Sequence, residues 1–197
     1  MEVINLHKEL NDVRFEKIYP KYVRELSKIH WTPIDIATIA INWLAVSSHT
    51  KILDIGSGVG KFCILGGLLS NAQFTGVEKR KKLINVANKS LAHFSLNNVK
   101  FIHSNILDVN FNSYDAFYYF NPFCEQIALC DWIDDTTTYS RDKYELYEQY
   151  VIDQLAKMPI GTKLVTYCCH DFYPPNSFTI KDMMFDGQLV LWVKKGI

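Results

Sequence analysis

The sequence lacks several features that would assign it to other protein classes. Its 21 Lys and Arg residues balance 21 Asp and Glu residues, so no net charge draws the chain toward nucleic acid or an anionic membrane. The first ten residues, MEVINLHKEL, contain no basic cluster followed by an apolar run, so we predict no secretory signal. The most apolar stretch, residues 36–46, is far shorter than the roughly 20 residues of a membrane span.

The cysteines do not resemble a disulfide framework. There are five of them, an odd number at irregular spacing, which is typical of reduced thiols in the cytosol. With 197 residues, of which 48% are hydrophobic, the chain suits one compact domain with a sizeable core. We therefore expect a cytoplasmic protein without a membrane partner.

The charges are unevenly distributed along the neutral chain. Residues 1–100 carry 14 of the 21 basic residues but only 8 of the 21 acidic ones. This asymmetry predicts one half of the protein facing an anion and the other half facing a cation.

The amino-terminal third has a helical pattern. Residues 3–29 are predicted to be helical with an interruption at Pro20, and their basic residues recur on one face. A second helix is predicted from Thr32-Pro33, with the Thr32 hydroxyl as N-cap and Pro33 at the first helical position. Because the following residues are apolar nearly all round, this helix should be buried or lie over a ligand.

From residue 51 onward, short apolar runs alternate with helical patterns. Strands such as KILDI, QFTGVE and VKFIH, each followed by a helical or turn-forming segment, indicate an α/β fold with a mostly parallel sheet and right-handed crossovers. Near the carboxyl terminus, Asp186-Gly187 separates two strand-like runs and predicts an antiparallel hairpin. Residues 124–140 have the weakest pattern, and we expect a short helix and an acidic loop there.

The stretch KILDIGSGVGKF at residues 51–62 combines a strand, a glycine loop and the start of a helix. Glycines allow a ligand to approach the backbone amides at the helix amino terminus. Ile55 and Phe62 stand where a nucleoside-triphosphate loop needs glycine and Ser or Thr. The spacing G-x-G-x-G also places the third glycine one residue early for the dinucleotide fingerprint.

The segment Asp54 to Gly60 closely resembles the glycine loop of class I S-adenosylmethionine-dependent methyltransferases. This resemblance implies S-adenosyl-L-methionine as cofactor and S-adenosyl-L-homocysteine as product. It also implies a three-layer sandwich with a seven-stranded sheet ordered 3-2-1-4-5-7-6. Residues 31–197 would form the methyltransferase domain, and residues 1–30 would be a helical cap at the cofactor mouth.

The same resemblance implies roles for residues beyond the loop. Glu78 stands where the family has an acid that binds both ribose hydroxyls, Asn105 where it contacts the adenine amino group, and Ile106 where a side chain packs on the base. Two alternatives stay open: Glu78 as the N-cap of the next helix and Asn105 as a turn-forming residue. The full set of expected cofactor-binding residues is Thr32, Asp54, Gly56, Ser57, Gly58, Gly60, Glu78, Asn105 and Ile106.

The fourth strand is followed by Asn121-Pro122-Phe123, which resembles the Asn-Pro-Pro-aromatic signature of methyltransferases that act on planar or exocyclic nitrogens. The second proline is missing here. The resemblance implies that Asn121 and Pro122 supply oxygens that accept hydrogen bonds from an amine, while Phe123 stacks on a planar acceptor. We expect these three residues to be catalytic.

A second likeness concerns the acceptor. The loop together with Gly76-Val77-Glu78-Lys79 resembles lysine methyltransferases of the disruptor-of-telomeric-silencing type, and Trp31-Thr32-Pro33 is similar to small seven-strand lysine methyltransferases. The acidic residues Asp131, Asp134 and Asp135 would suit a cationic acceptor. We therefore expect an N-methyltransferase acting on an amine, with a protein lysine as one candidate. The alternatives are an RNA base, a small molecule, or a non-catalytic nucleotide-binding module.

Several remaining motifs have ordinary structural interpretations. The basic run at residues 79–82 would contact RNA phosphates or form the solvated start of a helix, and the neutral overall charge favours the latter. Cys168-Cys169-His170 lacks a second pair at zinc spacing, so we predict no metal site. Tyr19, Tyr22 and Trp31 are candidates for a lid and His30 for a base, although core packing is the simpler interpretation for each.

Overall fold

The computed structural model describes residues 11–127, 132–169 and 171–196. Seven strands form one sheet in the order β3-β2-β1-β4-β5-β7-β6, as predicted. The β1 strand pairs in parallel with β2 and β4, while β7 is antiparallel to both β5 and β6. The strands are β1 (Lys51–Ile55), β2 (Gln73–Glu78), β3 (Val99–His103), β4 (Ala116–Tyr119), β5 (Lys163–Tyr167), β6 (Phe178–Met184) and β7 (Leu189–Lys194).

Helices cover both faces of this sheet. The described α-helices are α1 (Asp12–Phe15), α2 (Lys21–Glu25), α3 (Ser27–His30), α4 (Ile34–Leu44), α5 (Lys61–Leu69), α6 (Lys81–Leu91) and α7 (Arg141–Lys157). Short 3-10 helices lie at Glu16–Ile18, Ile106–Asp108, Phe111–Ser113 and Cys124–Gln126. Among the described helices, none is long and apolar enough to cross a membrane.

Side chains along the strands alternate between the two faces of the sheet. The sheet therefore has a hydrophobic core on each face and forms the middle of three layers. Ile52 of β1 belongs to the core that α4, α5 and α6 cover, whereas Leu53 belongs to the core that α7 covers. Successive strand side chains point to opposite faces, so each central strand contributes to both cores. The predicted three-layer α/β sandwich is confirmed.

The amino-terminal segment is more broken than the sequence pattern suggested. Within the described part of residues 3–29, three short α-helices and a 3-10 helix replace the two longer helical stretches. Phe15, Tyr19 and Val23 are nevertheless buried in the same core as Trp31 and α4. The predicted separation into a cap and a methyltransferase domain stays a prediction.

The predicted start of α4 was wrong by one residue. The helix begins at Ile34 with Pro33 in the N-cap position, and the Thr32 hydroxyl lies 3.0 Å from the Tyr118 hydroxyl instead of capping the helix. The Ile34 N–H donates instead to Asp12 Oδ1 at 3.1 Å. Thr32 is drawn inward because the buried Tyr118 hydroxyl offers it a hydrogen-bond partner, and a distant carboxylate satisfies the helix terminus.

The carboxyl-terminal hairpin follows the prediction. Asp186 and Gly187 adopt positive φ angles of 51° and 85° at the turn between β6 and β7. The β5 strand ends at Tyr167, because Cys168 has a φ of 51° and interrupts the extended run. The β6 strand is parallel to β5, so the hairpin turn lies at the same edge as the carboxyl ends of the central strands.

Candidate functional site

A cavity of about 580 Å³ lies at the carboxyl ends of the parallel strands. Ligands of α/β sheets bind in this position, where loops after neighbouring strands diverge. Six of the predicted site residues line the cavity, and they come from the loops after β1, β2, β3 and β4: Gly56, Glu78, Asn105, Ile106, Pro122 and Phe123.

The glycine loop is packed too closely for larger residues. Gly56 has a φ of 74°, and a Cβ atom there would lie 2.4 Å from Pro122 Cβ. Gly58 has a φ of 53°, and a Cβ atom there would lie 2.6 Å from the Trp31 ring. Glycine is therefore required at both positions by backbone conformation and by space. The contact between Gly56 and Pro122 joins the predicted cofactor loop to the predicted catalytic loop.

Asp54 and Cys63 form a buried polar pair beneath the loop. The Cys63 thiol donates to Asp54 Oδ2 at 3.5 Å, and Asp54 is 4% exposed. Burial raises the pKa of Asp54 to about 7, opposed by the thiol hydrogen bond and reinforced by the charge of Glu78. Ser57 Oγ is buried and has no hydrogen-bond partner among the described residues. Gly60 stands at the N-cap position of α5.

Glu78 ends β2 with its carboxylate turned toward the glycine loop. Its Oε2 accepts from the Gly58 N–H at 3.2 Å, and its Oε1 accepts from the Arg80 N–H at 2.8 Å. Burial raises the pKa of Glu78, although the Arg80 charge and both N–H groups act in the opposite direction. Glu78 does not itself occupy the N-cap of α6, because that position belongs to Arg80.

Arg80 and Glu125 form an ion pair that the sequence analysis missed. Arg80 Nη2 donates to Glu125 Oε1, and Arg80 Nε lies 3.8 Å from Glu78 Oε1. The other Glu125 oxygen accepts from the Ile133 N–H at 2.9 Å. Arg80 and Glu125 together thus connect Glu78 to the segment 132–138, part of which lines the cavity. The only indication of this ion pair in the sequence was an arginine two residues after Glu78.

Asn105 lies at the turn after β3, a position that agrees both with a contact to adenine and with a turn-forming role. Its Oδ1 accepts from the Leu107 N–H at 3.2 Å, so it caps the 3-10 helix that contains Ile106. The neighbouring Tyr147 hydroxyl accepts from Lys79 Nζ at 3.1 Å. Burial acts to raise the pKa of Tyr147, but hydrogen bonds with Lys79 and Asn105 and the nearby lysine charges outweigh it and lower the pKa.

In the loop after β4, Asn121 precedes Pro122, which packs against the Gly56 position. Asn121 has a φ of 40°, its backbone N–H donates to Cys169 Sγ at 3.2 Å, and within the described residues its side-chain amide makes no hydrogen bond. Phe123 is 7% exposed, with ring centroids 6.0 Å from Tyr119 and 5.2 Å from Tyr147. Most of the Phe123 ring is therefore occupied by protein contacts.

Not every predicted residue reaches the cavity wall. Thr32, Asp54, Ser57, Gly58, Gly60 and Asn121 lie outside its lining, and Thr32 is held by Tyr118. Of the lid candidates, Tyr19 and Trp31 are buried and Tyr22 is 40% exposed. Cys130, Asp131 and His170 lie outside the described residues, so the structure gives no account of them.

A second group that the sequence analysis missed surrounds Lys61, the first residue of α5. Its ammonium lies 2.5 Å from both Asp12 Oδ1 and Glu16 Oε1, and Ser27 donates to the same Glu16 oxygen. A lysine in an otherwise apolar helix was the available signal, because a buried ammonium needs a carboxylate partner. In the described part of the chain, no group of three His, Cys, Asp or Glu side chains is placed to hold a metal ion.

The residues present fit S-adenosylmethionine. The cavity volume falls in the range of about 300–1,000 Å³ for small-molecule sites. Glu78 and Arg80 line the cavity, and Arg80 also pairs with Glu125 behind the lining, so this group carries a net negative charge that suits a cationic cofactor. Gly56 also lines the cavity without a side chain.

Comparison with known proteins identifies the family. A family model described as "Methyltransferase domain" matches residues 46–169, more than half of the chain. The chain is 29% identical over 98 residues to the 23S rRNA (uracil(1939)-C(5))-methyltransferase RlmD of Shewanella sediminis. That match covers 44% of this chain, and the chain spans only 22% of the length of this curated relative.

Solved structures share the fold at low sequence identity. An RNA methyltransferase from Salinibacter ruber in complex with S-adenosyl-L-homocysteine has a TM-score of 0.57 and 17% identity, covering 84% of this chain and 95% of that one. The magnesium protoporphyrin IX methyltransferase from Synechocystis PCC 6803 with bound SAM has a TM-score of 0.61 and 13% identity, covering 99% and 98%.

These comparisons do not confirm the finer resemblance to lysine methyltransferases of the disruptor-of-telomeric-silencing type. The glycine loop, the strand order and the matched family agree with one another on the broader class. The chain belongs to the methyltransferase domain family, and its sheet has the strand order that the resemblance to class I S-adenosylmethionine-dependent methyltransferases implied.

Proposed function

We propose that this enzyme is an N-methyltransferase that transfers the methyl group of S-adenosylmethionine to an amine nitrogen held by Asn121 and Pro122. The observation that carries the proposal is the packing of the Asn-Pro-Phe loop on the glycine loop, where Pro122 fills the space against Gly56. The Asn121 side-chain oxygen and the Pro122 carbonyl are available as acceptors for two N–H groups of a substrate.

The chemistry requires little from the protein besides alignment. S-adenosylmethionine supplies, when bound, a methyl group already activated by a sulfonium. The amine must arrive neutral, with its lone pair directed at that methyl group. Hydrogen bonds from its N–H groups to the half-buried Asn121 and Pro122 would fix this direction.

The cofactor role of each residue follows from its position in the cavity. Glu78 would accept hydrogen bonds from the ribose hydroxyls once it releases part of its contact with the Gly58 N–H. Asn105 and Ile106 would bind the adenine at the other end of the cavity. Asp54, Ser57, Gly58, Gly60 and Thr32 would support this arrangement from behind the glycine loop.

Two kinds of methyl acceptor are candidates: a protein lysine and the exocyclic amine of an RNA base. The lysine hypothesis drew support from the acidic loop, but the Asp134 carboxylate accepts from the Thr136 amide and hydroxyl and interacts with Arg80 and Lys82. RNA as the molecule that carries the acceptor draws support from the similarity to enzymes described as RNA methyltransferases, of which the curated relative is described as acting on a uracil carbon and not on an amine. An amine acceptor is common to both candidates.

The proposal is tested by following labelled methyl groups. The enzyme is incubated with methyl-labelled S-adenosylmethionine and a cell lysate, and the products are digested separately with protease and nuclease. We expect the label to be recovered on nitrogen after hydrolysis of the methylated fraction. Recovery of the label on carbon or oxygen would overturn the assignment as an N-methyltransferase.

A further inference from the structure

Four lysines from two separate parts of the chain converge on the cavity mouth. Lys79, Lys81 and Lys82 follow β2, Lys143 lies in the first turn of α7, and all four are exposed residues of the cavity lining. The sequence alone favoured a solvated helix start for residues 79–82. The fold brings these residues close to Lys143 of another helix, so a single solvated helix face does not explain the cluster.

These four ammonium groups make no close ion pairs within the described part of the chain, whereas Arg80 beside them is paired with Glu78 and Glu125. Lys79 donates to the neutral Tyr147 hydroxyl, and Lys82 lies 5.0 Å from the centre of the Tyr22 ring. The facing acids are Asp134 and Asp135 in the same lining and Asp142 next to Lys143 along the chain.

The cofactor does not account for this charge. S-adenosylmethionine carries a net positive charge, which the net negative group around Glu78 suits and which the lysines at the mouth would repel. A lysine-bearing peptide would be repelled in the same way. An anionic partner is the occupant that the rim fits, and the cofactor would bind beneath it.

Tyr22 adds a feature that a free phosphate or small anion would not need. Its ring is 40% exposed beside Lys82. Cationic side chains that follow a backbone, combined with an aromatic ring on which a base stacks, are typical of single-stranded nucleic-acid sites. Unpaired stretches of RNA are the usual targets of proteins that reach individual bases.

We propose that the surface formed by Lys79, Lys81, Lys82, Lys143 and Tyr22 binds a single-stranded segment of RNA that presents the methyl acceptor to Asn121. This inference rests on the proposed function, because it names the molecule that carries the acceptor nitrogen. The lysines contact the phosphates and Tyr22 stacks on a base, so affinity depends on salt through counterion release.

The test measures the affinity of the full chain, saturated with S-adenosyl-L-homocysteine, for a fluorescent single-stranded RNA of about 12 nucleotides. Four phosphate contacts predict a slope of log affinity against log salt near −3 between about 50 and 200 mM KCl. In K81E/K82E we expect the slope to fall by at least about half and the affinity at 100 mM KCl to fall roughly tenfold or more.

The matched control reverses the charge of two exposed lysines away from the cavity, Lys89 in the last turn of α6 and Lys100 in β3. We expect K89E/K100E to bind RNA within about twofold of the unchanged protein. Equal weakening by both double variants, salt-independent binding, or preference for single-stranded DNA or for a lysine-rich peptide over RNA would each overturn the proposed surface.

The two proposals fail in different ways. If the RNA surface is wrong but the proposed function is right, the RNA-binding test fails while labelled methyl groups still appear on nitrogen in another substrate. If the proposed function is wrong, RNA binding with the expected salt slope persists while no label reaches a nitrogen. Titration with S-adenosyl-L-homocysteine shows in both cases whether K81E/K82E remains folded and binds cofactor.

Discussion

Two cations in this protein, the buried Lys61 and the half-buried Arg80, have matching partners and different surroundings. Lys61 is held by Asp12 and Glu16, and Arg80 is held by Glu78 and Glu125, so each cluster has one positive and two negative groups. The Lys61 cluster ties the amino-terminal segment to α5 and lies outside the cavity lining. Of the Arg80 cluster, Glu78 and Arg80 line the cavity.

The comparison shows that the same charge arrangement serves different purposes according to its access to a ligand. Around Lys61, the excess negative charge is satisfied by the Ser27 hydroxyl and the Ile34 N–H. Around Arg80, backbone N–H groups of Gly58, Arg80 and Ile133 contact the carboxylates, and the cavity gives a cationic ligand access to the same group. We therefore expect changes at Lys61 to affect folding and changes around Arg80 to affect cofactor binding.

The largest expected effect comes from removing the cation that lies outside the cavity. Lys61→Met leaves Glu16 buried without its counter-charge, so the free energy of unfolding should fall by about 3–5 kcal/mol. Urea denaturation measures this change, with Lys89→Met as the exposed control. Adding Glu16→Gln to Lys61→Met should recover part of the loss. An unchanged midpoint would show that the cluster does not stabilise the fold.

Asp54, behind the glycine loop, should make the stability of the protein depend on pH. Its pKa is raised from 3.8 to about 7 in the folded protein, so the folded state binds this proton more tightly than the unfolded chain. The resulting stability is complete below pH 3.8 and is lost as pH rises through about 7, a change on the order of 4 kcal/mol.

Asp54→Asn removes this titration. Denaturation at about pH 4 and pH 8 should show the wild-type protein losing its advantage over the variant as pH rises. Glu78, whose raised pKa acts in the same direction, is present in both proteins, so the difference between them reports Asp54 together with its charge interaction with Glu78. A constant difference across this range would rule out Asp54 as the titrating group.

A substitution at Glu78 tests whether the Arg80 cluster acts in cofactor binding. Glu78→Ala should weaken binding of S-adenosyl-L-homocysteine by about 1.5–3 kcal/mol, the scale of a hydrogen bond to a charged group. Isothermal titration calorimetry gives the affinity, and Glu16→Gln in the remote cluster is the matched control. Wild-type affinity in Glu78→Ala would remove this carboxylate from the ribose.

Glu125 should have the smallest of these effects. Glu125→Gln keeps an oxygen for the Ile133 N–H but weakens the pairing with Arg80, which retains Glu78. We expect cofactor affinity to fall roughly tenfold, about 1.4 kcal/mol, with a smaller change in stability than in Lys61→Met. A large loss of stability with unchanged cofactor affinity would contradict this expectation, because the Arg80 cluster would then serve folding in the same way as the Lys61 cluster.

Local pattern predicted most of the fold. Alternation in KILDI and QFTGVE, and Asp186-Gly187 between two strand-like runs, are local signals, and the structure confirms the strands and the hairpin. The start of α4 was mispredicted because its cap is Asp12, which lies 22 residues earlier in the chain. Sequence separation hides such partners until the chain is folded.

The same reason explains which site residues were missed. The glycine loop, Glu78 and Asn105 follow strand ends at fixed spacing, so their meeting at one sheet edge is predictable. The pairing of Arg80 with Glu125 spans 45 residues and depends on how the segment after β4 folds back. Nor does the sequence show that Phe123 is largely covered by Tyr119 and Tyr147.

The most direct measurement of the central claim separates turnover from binding in Asn121→Ala. If Asn121 orients the acceptor nitrogen, the rate of methyl transfer at saturating cofactor should fall about a hundredfold. The affinity for S-adenosyl-L-homocysteine should stay within about twofold of wild type, because the cofactor contacts lie in other loops. Equal losses of rate and cofactor affinity, or an unchanged rate, would contradict this role of Asn121.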